Sequence, residues 1–393
     1  MTVPAFVDDL PVIAIKGAPG KKLNVGIVNI PDTVKELDSK AFRGIKSIKK
    51  VNIASEKTRI RHGAFYGCTG LEDENGCIIV MGDLHQCNRK GPSVISHGIS
   101  KIPSRIAWGE FPTQDEYHMT SLVIPEGVEV IEREAFCGQN NLESVVLPST
   151  LKEIGEGAFA CCYKLKRVVL PEGIRKIGDH AFDCCSSMVE INFPTTLEQI
   201  GEEAFARCRS LYAHAPNHVP QVGGSAFYGC HSMADSNGMT IVKNMLHNYC
   251  GTARKVKIPD EVEYIADYCF AGKKEIEEIE LPKTLKKIGT CQHTCCSYTF
   301  RGCSGLADEN GFVIVGGCLW DYIGDVEIVE IPENVTMVHE KAICGSKNGA
   351  PKTVIVPATV THVSEKAFES VNVHFLGAEP ESCSEQLSLC RYI

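Results

Sequence analysis

The chain has 393 residues and a net charge of −9, because 40 lysines and arginines stand against 49 aspartates and glutamates. Both signs are interspersed along the sequence, so no basic patch is evident and we expect no nucleic-acid partner. No apolar run approaches the roughly 20 residues that span a bilayer, so we expect no membrane insertion.

One sequence phrase is repeated with a period of 23 residues. Its copies begin at Leu142, Leu165 and Met188, and each copy has a proline after a short apolar run and an Ala-Phe pair further on. Self-similarity at a fixed period of this length predicts a stack of similar coils, each contacting its neighbours.

The first half of each copy has the pattern of a strand. In the copy that starts at Leu142, the residues Leu142, Val145 and Leu147 are expected to point inward, with Ser144 and Val146 pointing outward. The proline that follows lacks an N–H and cannot extend a strand ladder. The chain is therefore expected to turn there and return along a second side of the coil.

The second half of each copy forms that return side. In the sequence LKEIGEGAFACC we expect Ile154, Ala158, Phe159 and Cys162 to point inward. Gly155 is expected to supply backbone freedom at the corner. One coil alone buries too little apolar surface to be stable, so stacking against neighbours must complete its core.

The repeated form LxxVxLPxxLxxIGxxAFxxC resembles the BspA-type leucine-rich repeat, over about residues 23 to 375. The resemblance implies a leucine-rich repeat solenoid, an α/β-type superhelix of short parallel strands with turns or short helical segments on the return side. Better-known members of that family are surface adhesins that bind host matrix proteins. The resemblance therefore implies a non-enzymatic interaction module that binds a protein or glycan partner at the cell surface.

Domain boundaries follow from where the repeat begins and ends. We expect one elongated solenoid over residues 23–375, an N-terminal cap over residues 1–22 and a C-terminal cap over residues 376–393. Caps are expected because an open terminal coil would expose the edge of its core. Three islands interrupt the solenoid, near residues 71–118, 233–251 and 306–324.

The islands share a second phrase, which starts at Leu71, Met233 and Leu306. Each copy contains Asn-Gly between strand-like runs, a strong signal for a hairpin turn at that dipeptide, so each island is predicted to add a small β-hairpin or an extended detour to its coil. Each copy also has an aspartate two residues after its start, at Asp73, Asp235 or Asp308. The spacing lacks the further acidic ligands of a calcium loop, so these aspartates are interpreted as turn residues.

Six of the 20 cysteines share the last position of the AFxxC pattern. They are Cys68, Cys162, Cys185, Cys208, Cys230 and Cys303. A shared inward position predicts a ladder of buried thiols that pack as small apolar groups, with no disulfides between coils. Reduced thiols suit a reducing or anaerobic setting.

Chemistry-bearing motifs are few. Residues Cys291, His293, Cys295 and Cys296 form a C-x-H-x-C-C pattern, which is not a zinc-finger form, so we predict no metal site. The sequence contains no nucleophile elbow, no phosphate-binding glycine loop and no H-E-x-x-H pattern. We therefore expect neither an enzyme nor a cofactor.

Three aromatic residues lie in an irregular coil that lacks the AFxxC pattern: Trp108, Phe111 and Tyr117. One interpretation is a binding protrusion, because Trp and Tyr dominate interface hot spots. The other interpretation is that they fill the core where the usual inward residues are missing.

The outward strand positions predict a second candidate surface. Val123, Val146 and Val169 follow one another at 23-residue intervals and are expected to stack as an apolar strip on the concave face. Arg167 and Glu190 are expected at the rim, with Asn192 at the next outward position. The alternative is that β-branched residues simply suit strands.

Two functions remain open at this point: a surface interaction module, as the resemblance implies, and an intracellular structural or scaffold protein. The start of the chain, MTVPAFVDDLPVIAIKG, has no basic region before its apolar residues and does not read as a secretory signal. We therefore expect a cytoplasmic location if this start is native, and a surface location if an export segment was removed.

Overall fold

The computed structural model describes residues 1–8, 10–17, 24–61, 63–87, 91–106, 119–289, 298–343, 351–364, 367–368, 371–378 and 381–383. The chain divides into two compact units, which are described separately. The first is Met1–Phe205 with Ser210–Ala213 and Val219–Gln221, and the second is Ala206–Arg209, His214–His218 and Val222–Ile393. The aromatic residues Trp108, Phe111 and Tyr117, and the insertion with Cys291, His293, Cys295 and Cys296, lie outside the described residues.

Each unit is a β-solenoid with almost no helix. Within the described ranges the helices are three 3-10 turns: Thr69–Leu71, His231–Met233 and Ser304–Leu306. The first side of the coils carries strands that pair in parallel, most of which have a form of the LxxVxL pattern. In the first unit these are Ile27–Ile30 with Lys50–Ile53, then Gly91–Val94, Met119–Val123, Ser144–Val146, Arg167–Val168 and Glu190–Ile191. In the second unit they are Lys255–Lys257 with Glu278–Glu280, then Ile328–Glu330, Thr353–Val356 and Asn372–Phe375.

The return side of the coils also forms parallel sheets. The sequence predicted only turns or short helical segments there. In the first unit its strands are Ala14–Ile15, Glu36–Leu37 and Arg59–Ile60, then Lys101–Ile102, Val130–Ile131, Glu153–Ile154, Lys176–Ile177 and Gln199–Ile200. The strand Gln221–Val222 follows. In the second unit they are Tyr264–Ile265, Lys287–Ile288, Met337–Val338, His362–Ser364 and Glu381–Cys383. Two-residue strands are too short to show an alternating pattern in the sequence.

Stacked phenylalanine rings run through the core. Phe159 and Phe182 are fully buried, and their ring centroids lie 5.4 Å apart with a 5° angle between the planes. The same 5.4 Å spacing separates Phe182 from Phe205 in the next coil. In the second unit Phe270 and Phe300 stack at 5.2 Å. The 23-residue period therefore brings identical rings into contact from coil to coil.

The cysteine ladder predicted from the AFxxC pattern is confirmed as a set of buried thiols. All six cysteines are fully buried. The Cys162 thiol donates to the Phe136 carbonyl at 3.4 Å, and the Cys185 thiol donates to the Phe159 carbonyl at 3.2 Å. Because burial disfavours the thiolate, it raises the pKa of Cys68 to about 11.

The corner glycine is required for a different reason from the one expected. Gly155 does not adopt a left-handed backbone, but an added Cβ there would lie 2.8 Å from the Ile131 carbonyl oxygen of the preceding coil. Close approach of two backbones therefore excludes a side chain at Gly155. Left-handed residues occur instead two positions before Phe136, Phe159, Phe182 and Phe205, at Glu134, Gly157, His180 and Glu203.

The three islands form antiparallel β-hairpins, as predicted. Their strands are Cys77–Val80 with Asp83–Cys87, Met239–Val242 with Met245–Tyr249, and Phe312–Val315 with Cys318–Tyr322. The predicted turn position was wrong, because each chain reversal lies after the first strand, as at Met81–Gly82, where both residues have positive φ. In the second hairpin, the strand Met245–Tyr249 also pairs in parallel with Tyr264–Ile265, so the hairpin is built into the return sheet.

The Asn-Gly sequences form a separate turn before each hairpin, closed by the island aspartate. Asp73 Oδ1 accepts hydrogen bonds from the backbone N–H groups of Asn75 and Cys77, both at 2.9 Å. Asp235 and Asp308 bind their own turns in the same way. The interpretation of these aspartates as turn residues is therefore confirmed.

The N-terminal segment joins the first coil directly. Phe6–Val7 pairs in an antiparallel manner with Leu10–Pro11, and Ala14–Ile15 pairs in parallel with Glu36–Leu37. These contacts place residues 14–15 at the edge of the return sheet, where a cap would lie.

Candidate interaction surface

Four valines form an exposed row on the first side of the coils, and we call them the valine strip: Val94, Val123, Val146 and Val169. Their side chains are between 36% and 65% exposed. Val94 pairs with Val123, and Val123 pairs with Val146, in the parallel register of neighbouring strands. The row is therefore continuous over at least three strands, and Val169 lies 23 residues after Val146.

The two faces of these strands are as the sequence predicted. Leu122, Val145 and Val168, which precede the exposed valines, are at most 8% exposed. The valine strip is thus held on the solvent side of strands whose opposite face is fixed in the core. A surface held this way is rigid and needs little ordering when a partner binds.

Val94 is a member of the strip that the sequence analysis missed. Its strand reads GPSV and belongs to the irregular coil, so it lacks the LxxVxL pattern. Its N-terminal end contains a shift of register between Gly91 and Pro92, which also hides it from a strict 23-residue count. A search for valines near strand ends could have found it.

Charged side chains border the strip. Arg167 and Glu190 lie on paired strands, and Arg167 Nη2 lies 2.6 Å from Glu190 Oε2. Lys166 donates to Glu143 at 2.7 Å on the same side, and this hydrogen bond lowers the pKa of the Glu143 carboxyl. These ion pairs are solvent-exposed and contribute little to stability, so a charged group of a partner can replace either member at little cost.

Asn192, predicted at the next outward position, is engaged with the preceding coil. Its Oδ1 accepts a hydrogen bond from the Leu170 backbone N–H at 2.7 Å, and its Nδ2 donates to the Leu170 carbonyl at 2.9 Å. The amide thereby satisfies both backbone groups of Leu170, just past the strand Arg167–Val168. Asn192 therefore lies at the end of the valine strip, where its side chain stabilises the backbone of the preceding coil.

One group of side chains has the composition of a metal site. The ligand atoms of His180, Asp183 and Glu203 all lie within 4.8 Å of one another. His180 Nδ1 is 3.8 Å from Glu203 Oε2. All three residues are at least partly exposed, and we assign no metal to them.

Among the helices of the described ranges, none has the length and apolar character needed to cross a membrane.

A family model described as the BspA type leucine-rich repeat region matches the sequence in six copies, over residues 21–75, 113–234 and 239–374. A search of curated proteins gave no significant match.

Several solved structures resemble this chain. The pneumococcal vaccine antigen PcpA is 17% identical with a TM-score of 0.50, and the match covers 78% of this chain and 93% of that chain. A leucine-rich repeat protein from Bacteroides ovatus is 20% identical with a TM-score of 0.43, covering 95% of this chain and 91% of that chain. The T. pallidum leucine-rich repeat protein is 32% identical with a TM-score of 0.31, covering 48% of this chain and 78% of that chain. The likeness to PcpA concerns the fold alone.

Proposed function

Since the chain belongs to the BspA-type leucine-rich repeat family, we propose that it is a non-enzymatic interaction module that binds a partner through the valine strip. Family membership supports a protein-interaction or surface-binding role in general. The finer proposal is adhesin-like binding of a protein or glycan by the first side of the coils. The observation that carries it is the row of exposed valines on strands with a buried opposite face.

The chemistry of the strip favours a protein partner over a glycan. The four valines form an apolar surface whose side chains have no hydrogen-bonding group. Removing such a surface from water is favourable, so a partner that covers it gains binding free energy. The ion pair between Arg167 and Glu190 adds one donor and one acceptor beside it. An extended peptide with small apolar side chains and one charged residue fits this arrangement.

The test is a matched pair of substitutions. Val146→Asp places a charge in the strip and is expected to abolish binding to any partner that covers it, while the thermal unfolding midpoint changes little because the side chain is 57% exposed. Ile328→Asp is the control, since Ile328 is 60% exposed on a strand of the second unit. Binding is measured against a panel of immobilised extracellular matrix proteins.

Three outcomes contradict the proposal. The first is equal loss of binding in the Val146→Asp and Ile328→Asp variants, and the second is undiminished binding by Val146→Asp. The third is no cross-link to the panel from a photoreactive residue at position 146 when other positions on the chain do cross-link. A collapse of thermal stability in Val146→Asp would show that the strip belongs to the core.

An intracellular scaffold is the second candidate function, and the buried thiols are the observation that favours it. A ladder of six buried cysteine thiols is compatible with a reducing compartment. Antibody labelling of intact, unpermeabilised cells that express the chain separates the two candidates. Labelling supports the surface module, and labelling only after permeabilisation supports the scaffold.

A further inference from the structure

Cys77 and Cys87 differ from the ladder cysteines in their geometry. They lie directly opposite each other on the two strands of the first hairpin, and both are fully buried. Their sulfur atoms are 3.3 Å apart. The ladder thiols of Cys162 and Cys185, by contrast, each donate to a phenylalanine carbonyl.

The backbone places this pair where antiparallel strands come closest. The Cys77 N–H donates to Asp73 Oδ1, and the Cys77 carbonyl accepts from the Asp73 N–H, both at 2.9 Å. Cys77 and Cys87 therefore do not exchange backbone hydrogen bonds with each other. Non-hydrogen-bonded pairs have Cα atoms about 4.5 Å apart, which is within the roughly 4.4–6.8 Å that a disulfide spans.

The other two hairpins provide an internal comparison. The corresponding cross-strand pairs are Met239 with Tyr249 and Phe312 with Tyr322. In the third hairpin the two ring centroids lie 5.0 Å apart, and both side chains are buried. Two thiols are much smaller than two such side chains, so packing alone does not explain the pair in the first hairpin.

We propose that Cys77 and Cys87 are a dithiol pair that closes to a disulfide and locks the first hairpin, with a small-molecule disulfide such as oxidised glutathione as the oxidant. The Cys77 thiolate attacks one sulfur of the oxidant, forming a mixed disulfide and releasing one thiolate. Cys87 then loses its proton and attacks the Cys77 sulfur, releasing the second thiolate. Two protein thiols become one disulfide while one oxidant disulfide is reduced to two thiols.

The acidity of Cys77 agrees with its role as an attacking thiol. Hydrogen bonding with Cys87 lowers the pKa of Cys77, whereas burial raises the pKa of Cys68 to about 11 and that of Cys303 to about 12. Cys77 is therefore the better nucleophile of these three thiols. Because the pair is buried, the oxidant reaches it through local opening of the hairpin.

The experiment uses the full chain and its own cysteines as controls. The protein is fully reduced, freed of reductant, incubated under native conditions with glutathione disulfide, quenched with acid, alkylated in denaturant and cleaved before aspartates. This cleavage places Cys68, Cys77 and Cys87 on separate fragments, residues 38–72, 73–82 and 83–114. We expect fragments 73–82 and 83–114 to be joined, with a mass lower by two hydrogen atoms than their sum, and fragment 38–72 to be alkylated.

A single substitution tests the order of the two steps. In Cys87→Ala the second step is impossible, so glutathione is expected to accumulate on Cys77 as a mixed disulfide. The matched variant Cys162→Ala removes a ladder thiol and is expected to leave the 73–82 to 83–114 link unchanged. Far-UV circular dichroism of each variant checks that it is folded.

The proposal is overturned if both fragments are recovered alkylated at Cys77 and Cys87 after equilibration of the folded protein. It is also overturned if glutathione remains on Cys77 in the wild-type chain, or if the link forms only in denaturant. None of these readouts depends on partner binding, so they are independent of the proposed function.

Discussion

His247 shows how burial of one ionisable side chain ties stability to pH. The residue is fully buried, and its two ring nitrogens have no hydrogen-bond partner within the described part of the chain. Its ring lies edge-on to Phe227, with centroids 5.6 Å apart. Because the charged imidazolium cannot be hydrated there, burial lowers the pKa of His247 from 6.5 to about 3.

The pH dependence follows from this direction. Between pH 6.5 and about 3 the unfolded chain binds a proton at His247 that the folded chain excludes. The contribution of neutral His247 to the stability of the fold is therefore fully present above pH 6.5 and is lost as the pH falls towards 3. The free energy of unfolding is expected to decrease by up to about 1.4 kcal/mol per pH unit from this residue. Urea denaturation at several pH values should show a smaller decrease for His247→Leu, while the exposed control His97→Gln should behave as wild type. Equal acid sensitivity of His247→Leu and wild type would contradict the assignment.

The turn that precedes each hairpin is closed by one aspartate side chain. In the second turn, Asp235 Oδ1 accepts from the backbone N–H groups of Asn237 and Met239, both at 2.9 Å. Asp235→Ala removes the acceptor of these two N–H groups. Because Asp235 and Asn237 are exposed, water replaces part of the lost hydrogen bonding, and the free energy of unfolding is expected to fall by about 1 kcal/mol. Asp235→Asn keeps an oxygen at the same position and should lose much less in the same urea titration. Equal losses in the two variants would show that the side-chain oxygen is not what stabilises the turn.

The strands and hairpins differ in how far the sequence predicts them. The strands with LxxVxL and the buried positions of Phe159 and Cys162 follow from a 23-residue period, because every coil repeats the same inward pattern. The return strand Glu153–Ile154 could not be predicted, because its two residues are held by pairing with neighbouring coils. The proximity of Cys77 and Cys87 depends on the register of one hairpin, and its turn at Met81–Gly82 was not the dipeptide that the sequence favoured.

Two kinds of contact repeat from coil to coil along the chain: stacked core rings and surface ion pairs. The ion pairs join residues 23 apart, as Lys166 joins Glu143 and Lys257 joins Glu280. Phe182→Ala removes a ring stacked on both sides and is expected to cost about 3–5 kcal/mol. Lys166→Ala should lower the free energy of unfolding far less, because it removes only a solvent-exposed pair with Glu143. Comparable losses of unfolding free energy for the two variants would contradict the conclusion that core packing, and not surface ion pairing, holds neighbouring coils together.

The constant register of the coils has a consequence for how such a chain changes over generations. Removal of residues 165–187 would bring Phe205 against Phe159, the same kind of ring neighbour that each of them has now. Glu190 would come opposite Ser144 in place of its present partner Arg167, which changes only a surface pair. Loss or gain of one whole 23-residue coil can therefore change the number of coils without creating a new kind of core interface. A change that is not a whole number of coils would break the register of the rings and of the paired strands.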